Sequence, residues 1–123
     1  MNNHIPPLRV YYDGACPLCR REIGHYQGLQ ASCPVRWVDV SADATPLPAG
    51  VTTADALARF HVSLPDGGVV SGARAFIELW ARMPGWRWLA RVLRVPPLPW
   101  VAERAYRVFL RARPWLQRRA AAR

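Results

Sequence analysis

The chain has 123 residues, 51% of them hydrophobic, which suits one packed core and excludes wholesale disorder. No uncharged apolar stretch approaches the roughly 20 residues of a membrane-spanning helix, residues 1–7 lack the basic and apolar regions of a secretory signal, and three cysteines are too few for a disulfide framework, so a cytoplasmic protein is expected. The net charge of +9 comes from 17 arginines with no lysine and is uneven: residues 1–73 carry 5 Arg against 6 acids, whereas residues 74–123 carry 12 Arg against only Glu78 and Glu103, so the two parts should meet different partners.

Leu8-Arg9-Val10-Tyr11-Tyr12 is rich in strand formers. Asp13-Gly14-Ala15 turns the chain, and Pro17 suits the first turn of a helix. That helix is expected over residues 17–30, with Cys19, Ile23 and Tyr26 forming one apolar stripe. Residues 35–40 alternate as a second strand, completing a βαβ unit with a right-handed crossover. Pro46 and Pro48 make residues 41–50 a loop. Thr52 or Thr53 can cap a short helix running through Phe60, with Asp55 favoured in its first turn. Asp66-Gly67 between two short apolar runs signals a hairpin over residues 60–71. A helix over residues 73–83 follows, carrying Phe76, Leu79, Trp80 and Met83 at helical spacing.

The order β-α-β-α-β-β-α is the thioredoxin-like plan, an α/β layer architecture with helices on both faces of the sheet. Beyond it, residues 86–95 are expected to form a helix with Arg87, Arg91 and Arg94 in a polar stripe, stopped by the prolines at 96, 97 and 99. Residues 100–113 form another, with Arg104, Arg107 and Arg111 on one side; Pro114 interrupts it and residues 118–123 fray. The chain therefore reads as a single domain, a thioredoxin-like core at 8–83 with an Arg-rich helical extension at 84–123.

Cys16 and Cys19 carry the chemistry. A cysteine at a helix N-terminus sits among unpaired amide N–H groups at the positive end of the helix dipole, which favours the nucleophilic thiolate. Cys16 is expected to be the nucleophile and the more exposed thiol, with Arg20 and Arg21 adding positive potential. Cys19, three residues on, can resolve a mixed disulfide. In a chain of this kind a CxxC pair beside a βαβ unit reads first as a redox motif. Zinc is the competing reading, but a tetrahedral site needs four ligands, and Cys33, His4, His25 and His61 lack paired spacing. Asp13 can relay protons to the thiols, or cap the helix and fix the turn, capping being the expected role. Cys33 is expected as a buried structural cysteine at the end of the first helix, and His61 as an ordinary half-buried strand residue. Five of the six tryptophans lie in residues 80–115 and are expected mostly in helix packing, with the Arg stripes as solvated faces.

Tyr12-Asp13-Gly14-Ala15-Cys16-Pro17-Leu18-Cys19 resembles the motif of the DCC family of thiol-disulfide oxidoreductases, named for Asp-x-x-Cys-x-x-Cys. The Asp66-Gly67 hairpin, Ser71-Gly72-Ala73 and the region around Tyr106-Arg107-Val108-Phe109 are also similar, so the resemblance covers nearly the whole chain. It implies a thioredoxin-like fold and a redox-active dithiol, without defining a substrate. Thioredoxins place a cis-proline just before the third strand; Ala56-Leu57-Ala58-Arg59-Phe60-His61 contains none. The expected activity is thiol-disulfide exchange through Cys16 and Cys19 by a mixed disulfide, needing no metal or organic cofactor. The partners expected are a disulfide-containing protein or small thiol and a thiol reductant. The alternative is a non-catalytic binding or scaffold module whose basic C-terminal helices contact an anionic membrane surface or an acidic partner. No nucleic-acid-binding motif is present.

Overall fold

Alternation within Leu8–Tyr12 sets the layers of this computed structural model, which describes residues 6–42 and 46–121. That segment is strand β1, followed by α1 (Pro17–Gln27), β2 (Val35–Asp39), α2 (Thr53–Ala58), β3 (His61–Ser63), β4 (Val69–Ser71), α3 (Ala73–Trp80), α4 (Arg87–Leu93) and α5 (Leu98–Ala121). The sheet order is β2-β1-β3-β4. β1 runs parallel to β2, with Val10 opposite Trp37, and antiparallel to β3, with Val10 opposite Val62; β3 and β4 form the Asp-Gly hairpin. Parallel β1 and β2 need a crossover, which α1 supplies. This is the thioredoxin-like α/β arrangement expected from the element order.

Leu8 and Val10 point to one face of the sheet and join Ile23 and Tyr26 of α1, Val62 of β3, Ala75 and Leu79 of α3, and Met83. Tyr11, the residue after Val10, points the other way and packs with Val38, Val40 and Ala56 of α2. The two-residue period of the strand thus feeds two apolar layers, covered by α1 and α3 on one side and by α2 on the other. The Tyr26 hydroxyl is satisfied within its layer, donating to Glu22 at 3.0 Å and accepting from Trp80 Nε1 at 2.9 Å.

Several boundaries differ from the expectation. α1 stops at Gln27, where Gly28 caps it and turns its N–H back to the His25 carbonyl at 3.2 Å. Cys33 consequently lies in the loop before β2, half-buried against the core rather than at a helix end. Thr52 is the cap of α2: its hydroxyl accepts from Asp55 N at 3.0 Å and the Asp55 carboxylate accepts from Thr52 N at 3.1 Å, a reciprocal capping box. α2 ends at Ala58 because Arg59 is extended, delivering Phe60 to the strand. α3 ends at Trp80; its expected last turn is tightened into bonds such as Arg82 N to Leu79 O at 3.0 Å, and Met83 still reaches the core.

The largest departure is α5. Expected to break at Pro114, it continues for 24 residues with Pro114 inside it and helical through Ala121. An internal proline forfeits one backbone bond, a cost of about 3 kcal/mol. Arg113 and Gln117 on either side of it make tertiary hydrogen bonds that hold the segment in place. Closer to its start, α5 is anchored by Tyr106, whose hydroxyl accepts from Phe60 N at 2.8 Å, and by Glu103, which accepts from Arg59 at 2.8 Å and from Ala73 N at 3.3 Å. Gly72 caps α3 with φ of 66°, and a Cβ there would run into the Arg59 and Glu103 side chains that make this anchor. Trp80 and Trp86 stack on each other as helix-packing residues, but Trp88, Trp100 and Trp115 are 65%, 62% and 51% exposed, because they lie on the outward faces of α4 and α5.

Candidate active site

The site forms where β1 hands the chain to α1. Gly14 N donates to Asp39 Oδ1 at 2.9 Å, and a Cβ at residue 14 would collide with that carboxylate, so the Asp-Gly step is a requirement of close approach. Asp13 Oδ1 accepts from Ala15 N at 3.0 Å, an Asx turn, while the Asp13 carbonyl accepts from Cys16 N at 3.2 Å. These bonds close the loop and set Cys16 as the N-cap of α1 with Pro17 behind it. The Cys16 sulfur accepts from Cys19 N at 3.3 Å, as a capping side chain does. No disulfide joins the two sulfurs in this structure.

The structure corrects the expectation about exposure. Cys16 is only 4% exposed and Cys19 is half-buried. The cover is the last part of α5, where Arg113, Pro114, Gln117 and Arg118 lie against the motif. Gln117 Nε2 donates to Cys16 Sγ at 3.1 Å, and Arg113 Nη2 donates to Cys19 Sγ at 3.6 Å. Arg113 also bonds the Leu57 carbonyl at 3.0 Å and pairs with Asp13 Oδ2 at 3.5 Å. The nearby cation is therefore Arg113; Arg20 and Arg21 are exposed on α1. Cys16 still borders solvent space, lining a cleft of about 460 Å³ with Pro17, Pro114, Gln117 and Arg118. Cys19 faces a smaller cavity of about 50 Å³ under Phe109 and Arg113.

The two thiols have opposed proton affinities. Burial pushes Cys16 up, but hydrogen bonds from the Cys19 thiol, the Cys19 amide and Gln117, together with the Arg113 charge, outweigh it and bring Cys16 below the ordinary thiol value. Cys19 is pushed up to about 12, first by burial, then by its hydrogen bond to Cys16 and repulsion from that sulfur, which Arg113 only partly offsets. One sulfur thus gives up its proton more readily than an ordinary thiol, and its neighbour holds its own more tightly.

Asp13, Cys16 and Cys19 come together, as their spacing implies. His61 does not join them: it is 8% exposed, with Nδ1 bonded to the Arg59 carbonyl at 2.9 Å. His4 lies outside the described residues, and among the described residues no three His, Cys, Asp or Glu side chains converge as metal ligands. Arg113 and Gln117 escaped the sequence reading. The available signal was helical spacing: they follow the buried Tyr106 by seven and eleven residues, on the same face of α5.

A family model described as DCC1-like thiol-disulfide oxidoreductase matches residues 10–119. Among curated proteins, an uncharacterized chloroplastic protein of Arabidopsis thaliana is 28% identical over 109 residues, which cover 86% of this chain and 50% of that protein. The chain thus spans about half the length of the curated relative it matches. No solved structure gives a significant match.

Proposed function

This chain belongs to the DCC1-like thiol-disulfide oxidoreductase family, and we propose that it exchanges disulfides through Cys16 as nucleophile and Cys19 as resolving thiol. The Cys16 thiolate attacks one sulfur of a substrate disulfide; a sulfur–sulfur bond forms to Cys16, and the other substrate sulfur leaves as thiolate. Cys16 then carries no charge. Both the repulsion and the hydrogen bond that raised Cys19 vanish, so its proton is released more readily. The Cys19 thiolate attacks Cys16 Sγ, forms the internal disulfide and expels the second substrate thiolate. Two electrons pass from the dithiol to the substrate, and a thiol reductant returns them. The observation that carries this reading is the pairing of donors with sulfurs: Cys19 N and Gln117 Nε2 on Cys16, and Arg113 on Cys19. Asp13 has a positioning role here, tying Arg113 to the turn.

The test is a pair of variants assayed on a protein disulfide. Cys16→Ser should lower turnover by at least about 100-fold, as loss of a nucleophile does. Cys19→Ser should accumulate a mixed disulfide on Cys16, seen as a mass adduct. Turnover by Cys16→Ser at the parental rate would refute the assignment.

A further inference from the structure

On α5, Val101, Val108 and Trp115 recur every seven residues and are 46%, 65% and 51% exposed, forming one outward stripe. Arg104, Arg111 and Arg118 recur with the same period along its flank, all exposed. The guanidinium of Arg104 lies over Trp100 at 4.6 Å and that of Arg119 over Trp115 at 4.9 Å. Tyr106, Arg113 and Gln117, which face the core and the dithiol, lie on the other side of the same helix. α4 and the two residues after it repeat the pattern: Trp88, Val92 and Val95 are 65%, 47% and 57% exposed, alongside Arg87, Arg91 and Arg94, the last of which also pairs with Glu78 at 3.2 Å. Glu103 is the sole acid in residues 87–121, and Arg59 and Arg107 already engage it.

We propose that the outward faces of α4 and α5 seat the protein on an anionic lipid surface, with the exposed tryptophans and valines at the headgroup–acyl boundary and the arginines on lipid phosphates. The charges select this occupant. A second copy could cover the apolar stripe, but it would oppose rows of arginine with no acid to receive them. A polynucleotide could receive the arginines, but it would leave the valines against a charged backbone. An anionic bilayer meets both needs. Guanidiniums resting on indole faces are partly dehydrated already, which lowers the cost of bringing them into the headgroup layer. No described helix is long and apolar enough to cross a membrane, so the contact is peripheral. This inference does not depend on the chemistry proposed for the cysteines.

The experiment is sedimentation of the full chain with vesicles at physiological salt. Vesicles containing phosphatidylglycerol should carry the protein down, and vesicles of phosphatidylcholine alone should leave most of it in solution. A Val108→Ser/Trp115→Ser variant, with an unchanged melting midpoint, should lose most of the binding. Replacing Arg104, Arg111 and Arg118 by Gln should weaken it by about 100-fold, given the contribution of each basic residue near an anionic surface. The proposal falls if the parent chain stays in the supernatant with phosphatidylglycerol vesicles, or if both variants bind as the parent does. Tighter binding to duplex DNA than to the vesicles would also overturn it, as would a parent dimer that the Val108→Ser/Trp115→Ser variant abolishes.

Discussion

Gln117 gives the Cys16 sulfur a donor that no residue of the motif supplies. Removing it should leave burial, which opposes the thiolate, less well balanced. We expect Gln117→Ala to shift the midpoint of Cys16 alkylation to higher pH: the folded value lies below the ordinary thiol value because the stabilising bonds exceed the burial penalty, and one bond is gone. The check is iodoacetamide labelling against pH in a Cys19→Ser/Cys33→Ser background, with and without the change. An unmoved midpoint would show that the amide merely covers the sulfur. The half of this site built by neighbours in sequence was legible from spacing alone: Asp13, Gly14, Cys16 and Cys19 act through a turn and a helix start, whose geometry is local. Arg113 and Gln117 were not, because Arg113 looked like the last residue before a proline.

α5 is held by a polar hub as well as by packing. Glu103 accepts from Arg59, Arg107 and the first amide of α3. Burial raises its pKa, but the Arg59 and Ala73 bonds, then the charge of Arg59 and the Arg107 bond, bring it below the ordinary carboxylate value. A carboxylate with a depressed folded pKa adds stability that is fully present above its unfolded pKa and is lost as pH falls through the folded one. Glu103→Gln should therefore cost roughly 1 kcal/mol near neutrality, allowing for partial exposure, and the difference from the parent should shrink as the pH falls below the usual carboxylate range. Denaturant melts at several pH values would show it; a gap independent of pH would mean that the amide loses packing rather than charge. Among the elements, those with strong local signals were readable: the alternating strands, the Thr52 cap and the Asp66-Gly67 hairpin. α5 was misread at Pro114 because a proline's local cost is visible in sequence, whereas the tertiary bonds that offset it are not.

Across the molecule, stability rests on the layer beneath α1 and α3. Leu79 is fully buried there, so Leu79→Ala should cost about 2–5 kcal/mol, lowering the denaturant midpoint without abolishing the two-state melt. A loss under about 1 kcal/mol would place Leu79 outside the cooperative core. The alternation of β1, the turn after it and a cysteine pair at a helix start depend on bonds a few residues long, and the chain's order of residues was enough to establish them and the α/β plan they belong to. The burial of Cys16, the source of its neighbouring cation and the division of α5 into a dithiol face and an arginine–tryptophan face were settled by packing. Those contacts join residues 94 and 101 positions apart, and they form only because the folded sheet brings the end of α5 over the start of α1. The helical period places Arg113 and Gln117 on the face of Tyr106, but what that face meets is set by which surfaces come together once the core has closed.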